Sequence, residues 1–177
     1  MRPLSSLALR SALGGFALGA GALGLMSQSG AQAFAGFNSN SPVNYAADRI
    51  ELQDRQNRVV LSGNVVIAQA DLRLRAARTT VAYSNGGRLS IQRIDASGGV
   101  VVTRGNETAS GAVGIYDFNR RIITLVGGVA LRRGADTLNG GRLTIDLTSG
   151  VSSVDGGGGG RSNGGRVTGT FSVPTKN

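Results

Sequence analysis

The 177-residue sequence has no cysteine, no histidine and no tryptophan, and only ten acidic side chains. Without cysteine no disulfide can brace the fold, so stability has to come from backbone ladders and a buried core. Without cysteine or histidine the common nucleophile and base constellations cannot be built, and soft-metal sites are excluded. The one glycine-rich run, GGGGGRSNGG after Asp155, is expected to have neither a strand before it nor a helix after it, and it has no lysine-serine or lysine-threonine end. It therefore reads as a flexible linker and not as a phosphate-cradling loop. No helical period appears in the central region. Nothing here carries catalysis, and no enzyme, cofactor or metal is expected.

What is present is a repeat. The segment LSGNVVIAQADLRLRAARTTVAY from Leu61 to Tyr83 aligns without a gap with Ala96 to Phe118 and with Leu125 to Leu147. Gly63, Gly98 and Gly127 fall together, at offsets of 35 and 29, and Gly156 lies another 29 along at the end of a degenerate fourth copy. Within each copy apolar residues alternate with small or polar ones: Val59, Leu61, Val65 and Ile67 in the first, Ile94, Ala96, Val100 and Val102 in the second, Ile123, Leu125, Val129 and Leu131 in the third. Alternation of this kind is the period of a strand with one buried face.

Small and Asx residues at Ala70-Asp71, Gly105-Asn106 and Gly134-Ala135 predict tight turns. Second strands follow, ending in Thr79-x-Val81-x-Tyr83, Gly114-x-Tyr116-x-Phe118 and Leu143-x-Ile145-x-Leu147. The pairs Ala76-Ala77, Gly111-Ala112 and Gly140-Gly141 predict a bulge or corner at which the inward side changes. One two-stranded unit cannot bury its apolar face alone, but three or four stacked units make a continuous core.

Residues 1–33 read as a secretory signal, with Arg2 and Arg10 at the amino end, a small apolar run from Ser11 to Met26 and an A-x-A site at Ala31 to Ala33. The run falls short of the ~20 residues a membrane-spanning helix needs, and cleavage after about Ala33 is expected, giving an exported chain. Residues 34–42 read as a disordered leader, 43–155 as the β domain, 156–165 as the glycine linker, and 166–177 as a terminal edge strand and tail. The segment from Val43 to Leu52 looks like the back half of a repeat, Ile50 and Leu52 aligning with Thr79 and Val81. In the closing segment Val167, Gly169, Phe171 and Val173 alternate with Thr168, Thr170 and Ser172.

Removing Arg2 and Arg10 leaves 17 basic side chains against 10 acidic, a net of +7, and all but one of the basic ones are arginine. Arginine grips phosphate and carboxylate bidentately. Nucleic acid is not the expected partner, because the chain is exported and its arginines, Arg73, Arg75, Arg78, Arg104, Arg120, Arg121, Arg132 and Arg133 among them, are spread without interleaved aromatics. An anionic amphiphile fits better, with basic edges for its head group and an apolar interior for its chains. Asp117 and Asp146 share a repeat position and could form a carboxylate pair, but both lie between inward apolar neighbours and are expected to face solvent.

The phrases ADRIEL, VVLSGNVVIAQADLRLRAARTTVAY, RIDASGGVVVTRGNETASG, YDFNRRIITLVGGVALRRGADTLNGGRLTIDL and RVTGTF resemble the OstA-like family of periplasmic lipopolysaccharide-transport proteins, the family of LptA. The resemblance covers residues 43 to about 155, with an echo at 166–171. It implies an all-β, open, twisted jellyroll, a folded-over sheet of stacked antiparallel strands around an apolar groove that shields lipid acyl chains. Val65, Ile67, Val81, Tyr83, Val100, Val102, Tyr116, Phe118, Val129, Leu131, Ile145 and Leu147 are the expected lining, with Gly63, Gly98 and Gly127 leaving room inside. The resemblance also implies edge joining: an LptC-like protein at the amino-terminal edge (Val43, Ile50, Leu52), an LptD-like protein at the carboxy-terminal edge (Val167, Phe171), and head-to-tail self-association. Open sheet edges suit strand addition.

Two other readings share the pattern. A structural or adhesive β-solenoid with a packed interior would alternate identically, and an LptC-like component would retain its amino-terminal anchor. The closing strand could also fold back on its own edge. Ile145→Asp is expected to separate groove from packed core, strongly destabilising only the latter.

Overall fold

The computed structural model describes residues 38–157 and 165–173. The expected signal segment, residues 34–37 of the leader, residues 158–164 of the linker and residues 174–177 of the tail lie outside them. Among the described residues ten strands follow one another: β1 (Val43–Ala46), β2 (Arg49–Gln53), β3 (Arg58–Gln69), β4 (Leu72–Ser84), β5 (Ser90–Arg104), β6 (Glu107–Asp117), β7 (Ile122–Arg133), β8 (Asp136–Asp146), β9 (Ser152–Asp155) and β10 (Thr168–Thr170). They form one antiparallel sheet in which β3 to β8 pair in sequence order. Beyond β3 lie β1 and β2, and beyond β8 lie β9 and β10. The predicted all-β, stacked-hairpin architecture is what forms.

The hairpin turns fall at Ala70-Asp71, Gly105-Asn106 and Gly134-Ala135, between the paired ends Gln69↔Leu72, Arg104↔Glu107 and Arg133↔Asp136. In each, the first turn residue has left-handed backbone: Ala70 at φ 51°, Gly105 at 55° and Gly134 at 57°. A two-residue hairpin needs this, because its turn has to match the right-handed twist of the strands. At the other ends of the hairpins, a 3-10 turn at Asp54–Gln56 leads into β3, and Asn85 to Leu89 join β4 to β5.

A row of bulges crosses the sheet and divides every long strand in two. Gly63-Asn64 lie opposite Ala77, Gly98-Gly99 opposite Ala77 and Ala112, and Gly127-Gly128 opposite Ala112 and Gly141. Two residues against one bend the sheet sharply. Gly98 and Gly127 sit at φ +81° and +85°, where a side chain would be strained, and a Cβ on either would lie 2.6–2.7 Å from that of Ala77 or Ala112. The second strands change their inward side here: Leu72, Leu74 and Ala76 are buried before the corner and Thr79 after it. β6 does the same, from Glu107, Ala109 and Gly111 to Gly114 and Tyr116. The expected corner is therefore real.

The expectation that Gly63, Gly98 and Gly127 make room inside is not met. They are the outer, extra residues of the bulges, and the inward glycine is Gly114 instead, its space already filled: a Cβ there would lie 2.9 Å from Leu125 Cδ2 and from Val100 Cγ1. Val100 lies on the hairpin-turn side of the corner and Gly114 on the other side, on the neighbouring strand, so the two halves of the sheet meet across the interior.

Candidate functional site

Each alternating segment places every second side chain inward, and antiparallel register aligns these into columns that run the length of the stack. One column passes through Tyr45, Ile67, Leu74, Val102, Ala109, Leu131, Leu138 and Gly169. Another, beyond the corner, passes through Ile50, Leu61, Thr79, Ala96, Gly114, Leu125, Leu143 and Val154. The repeat alignment of Ile50 and Leu52 with Thr79 and Val81 agrees with the register: both pairs face the same β3 residues, Leu61 and Val59, from opposite sides.

The structure brings most of the sequence-predicted lining together. Val65, Ile67, Val100, Val102, Tyr116, Val129, Leu131, Ile145 and Leu147 are all buried in one cluster, against which Val81 and Phe118 pack from partly exposed positions. Tyr83 is half-buried at the strand end, where its hydroxyl donates to Asp54 Oδ1 at 3.3 Å, and its phenol is raised by desolvation and by the adjacent Asp54 carboxylate. Tyr116 and Phe118 stack with ring centroids 4.0 Å apart. Leu72 and Leu74, not among the predicted lining, are buried as well; their signal was the Leu72-Arg73-Leu74-Arg75 alternation. Leu61, Ile94, Leu125 and Leu143 complete the core.

Among the described residues Gln69, Thr79 and Glu107 are the buried polar side chains. Gln69 is buried at the end of β3, and its Oε1 accepts from the Tyr116 hydroxyl at 3.3 Å. Its Nε2 donates to the carbonyls of Ser39 and Ser41 at 2.8 and 3.0 Å, so residues 38–42 form a turn held over this end of the interior. Burial pushes the Tyr116 phenol up to about 12 against a smaller opposing pull from Arg121. No sequence pattern pointed to Gln69, because a lone glutamine in an alternating strand carries no period of its own.

Beside Gln69 the last inward row before the hairpin turns is charged: Arg104, Glu107, Arg133 and Asp136 face one another across successive strands. Arg104 Nε donates to Asp71 Oδ2 at 2.7 Å, and Arg133 Nε to the buried Glu107 Oε1 at 2.7 Å. Alternating signs along this lip stitch the strands together. On the outer face of β4 and β7, Arg73, Arg75 and Arg132 are exposed.

Asp117 and Asp146 do not form an acid–base pair. Both stand opposite Ile122 from its two sides, two inter-strand spacings or about 9.6 Å apart. Each closes a turn: Asp117 Oδ1 accepts from the Arg120 amide at 3.0 Å, and Asp146 Oδ1 from the Thr148 and Ser149 amides at 2.8 and 3.1 Å. The bonds from Ser149 and Thr148 hold the Asp146 carboxyl below the usual range.

Both ends of the columns are open. Tyr45, Ile50 and Leu52 are exposed at the β1–β2 end, Leu52 at 67%. Val151, Val167 and Phe171 are exposed at the other end, Phe171 at 61%. Val43, also expected at the amino-terminal edge, is half-buried against Gln69 of β3. The closing strand does fold back: β10 pairs with β8 through Thr168↔Asn139, Gly169↔Leu138 and Thr170↔Thr137.

This architecture is similar to known ones. The crystal structure of LptH, described as the LptA-homologous periplasmic component of the lipopolysaccharide transport device of Pseudomonas aeruginosa, superposes with a TM-score of 0.66, over 75% of this chain and 96% of that one, at 18% identity. An uncharacterized protein of Rhizobium meliloti (strain 1021) is 29% identical over 129 residues, 69% of each chain. The profile of the LptA/LptD N-terminal domain family of LPS transport proteins matches residues 45–151. That span holds every long strand and both halves of the apolar interior, and the chain belongs to the LptA/LptD N-terminal domain family of LPS transport proteins.

Proposed function

We propose that this chain is a periplasmic carrier of lipopolysaccharide or a related anionic glycolipid. Acyl chains run between the two halves of the folded sheet, and the open edges join neighbouring components into a bridge between inner and outer membranes. The observation that carries this is the set of apolar columns that traverse the stack and emerge exposed at Tyr45, Ile50 and Leu52, with Val167 and Phe171 exposed at the opposite edge. A self-contained core would close its ends with polar side chains. The groove does no chemistry; it removes hydrocarbon from water, worth about 0.8 kcal/mol per methylene. Because side chains from both halves meet across the interior, lipid enters by parting them, and the exposed arginines of the outer face and edges meet the anionic head group. An LptC-like partner occupies the β1–β2 edge and an LptD-like partner or a second copy the β9–β10 edge. Cleavage after about Ala33 releases the chain into the periplasm.

In-cell photocrosslinking tests this. Photoreactive residues at Ile67, Val102 and Ile145 should capture glycolipid, while Thr103 and Asp146 should not; failure at all three inward sites sinks the lipid role. A packed structural module is the second reading, favoured by the complete burial of Val100, Val102, Leu125, Leu143 and Ile145. On that reading Phe171 captures a protein partner and no interior site captures lipid.

A further inference from the structure

Both end rungs of the sheet are split at the corner. At one end β1 covers Val66 to Gln69 and β2 covers Arg58 to Ser62 of β3. The break is at Asp48, whose amide donates to the Gly63 carbonyl at 2.9 Å. At the other end β9 covers Arg142 to Ile145 and β10 covers Thr137 to Asn139 of β8. Here β9 ends at Asp155 and β10 begins at Thr168, and Gly156 stands where the repeat places the bulge glycine. Together β9 and β10 do what β7 does on the opposite side of β8, and they run in the direction of β7.

That direction matters for what can be added. β1 and β2 run antiparallel to β3, hence in the direction of β4 and β8. A second copy laid with its β1–β2 edge on β9–β10 meets an antiparallel strand in both halves. Laid on β8 with β10 absent, the same edge meets a parallel strand in the half before the corner. The ladder pattern of the sheet cannot continue through such a step.

The side chains agree with the first arrangement. Carrying the columns across the junction puts Tyr45 of the second copy opposite Gly169, Val43 opposite Phe171 and Ile50 opposite Val154. A large ring faces the inward glycine of β10, and the exposed Phe171 and Ile50 meet the partly buried Val43 and Val154.

We propose that β10 is a conditional rung: its seating on β8 gives the carboxy-terminal edge the strand direction that a second copy's β1 requires, and joining is switched by whether it is seated. Its hold on β8 is slight. Three ladder positions, all exposed, and one bond from the Ser172 amide to Asp136 Oδ1 at 2.7 Å keep it in place. This rests on the edge joining proposed above.

Because the chain has no cysteine, introduced pairs report the geometry directly in the full exported protein. Val43→Cys with Phe171→Cys should form a disulfide between copies, while Tyr45→Cys with Leu138→Cys should not. Gly169→Val unseats β10, since its Cβ would stand 2.5 Å from the Thr137 carbonyl oxygen and 2.8 Å from Leu138 Cδ2. Self-association measured by sedimentation should weaken at least about tenfold, with the melting curve little changed because every residue of β10 is exposed. Asp136→Ala should weaken it as well, and Asp136→Asn, which keeps the acceptor oxygen, should restore it. Stronger association in Gly169→Val, or preferential trapping of the Tyr45–Leu138 pair, makes β10 a plug over the edge and overturns the proposal. If the unsubstituted chain neither self-associates nor traps the Val43–Phe171 pair, joining between copies fails and this switch with it. The lipid role is read separately, by its own interior crosslinks.

Discussion

The corner of the sheet makes the sharpest quantitative test, because Gly98 and Gly99 separate two physical effects that usually come mixed. Both have φ +81°, so alanine at either adopts left-handed backbone at a cost of about 1–2 kcal/mol. They differ in their surroundings: a Cβ on Gly99 meets nothing within 4 Å, whereas one on Gly98 would lie 2.6 Å from the Ala77 Cβ. Ordinary carbon contacts are about 3.5–4.0 Å, so the overlap has to be relieved by moving β4 and β5 apart at the bulge. Overpacking of that kind costs about 1–3 kcal/mol more. Gly99→Ala should therefore lower the urea unfolding free energy by about 1–2 kcal/mol, and Gly98→Ala by about 2–5. In Gly98→Ala/Ala77→Gly the overlap is gone. That double variant should recover most of the difference despite the ~0.5–1 kcal/mol a glycine costs in a strand. Denaturation followed by far-UV circular dichroism, with the slope checked for constancy, of the unsubstituted chain, Gly98→Ala, Ala77→Gly and the double variant gives the four numbers for a cycle. Gly98→Ala no worse than Gly99→Ala, or no coupling to Ala77, would refute close approach as what sets the corner.

Other consequences are simpler. Ile145 is fully buried between Ile123 and Ser152, so Ile145→Asp should destabilise by at least about 3 kcal/mol whether or not lipid binds. It therefore does not separate groove from core, and Leu52→Asp, at an exposed column end, replaces it: thermal stability should stay within a few degrees while lipid crosslinking at Ile67 falls. Tyr116→Phe leaves Gln69 Oε1 without its donor and should cost about 1 kcal/mol by denaturant titration. The Tyr116 phenol is raised to about 12 in the folded chain against about 10 when unfolded, so the folded state holds an extra proton between these values. The contribution is complete below pH 10 and is lost as pH rises toward 12, so Tyr116→Phe should flatten the alkaline decline in stability. Asp146, held low by the Thr148 and Ser149 amides, works in the other direction. Its contribution is complete above the unfolded carboxylate range and fades as pH falls below it, and Asp146→Asn should remove that acid limb.

The sequence alone was enough to predict the stacked hairpins. A strand shows its inward side every second residue, and three copies in register leave little freedom in pairing, so Val65, Val100 and Val129 could be placed in one column before any coordinates. Turns were legible for the same local reason: Gly105 and Gly134 supply left-handed backbone where a two-residue hairpin demands it. Gly63, Gly98 and Gly127 were misplaced because alternation treats a glycine as an inward position, while two consecutive left-handed residues form a bulge and turn it outward. Gln69 was invisible, since its partners Tyr116 and Ser39 lie 47 and 30 residues away and meet it only after the sheet has folded over.

The sequence by itself determined the periodic part of this protein: a cysteine-free, all-β chain of repeating hairpins with one apolar side, because strand period, turn chemistry and repeat register are local properties. Tertiary structure alone decided which positions meet across the corner, that Gly114 faces Val100, and that β10 returns to β8 to reverse the direction of the outermost strand. Those depend on the angle at which a row of bulges bends the whole sheet, and no local residue pattern encodes an angle summed over six strands.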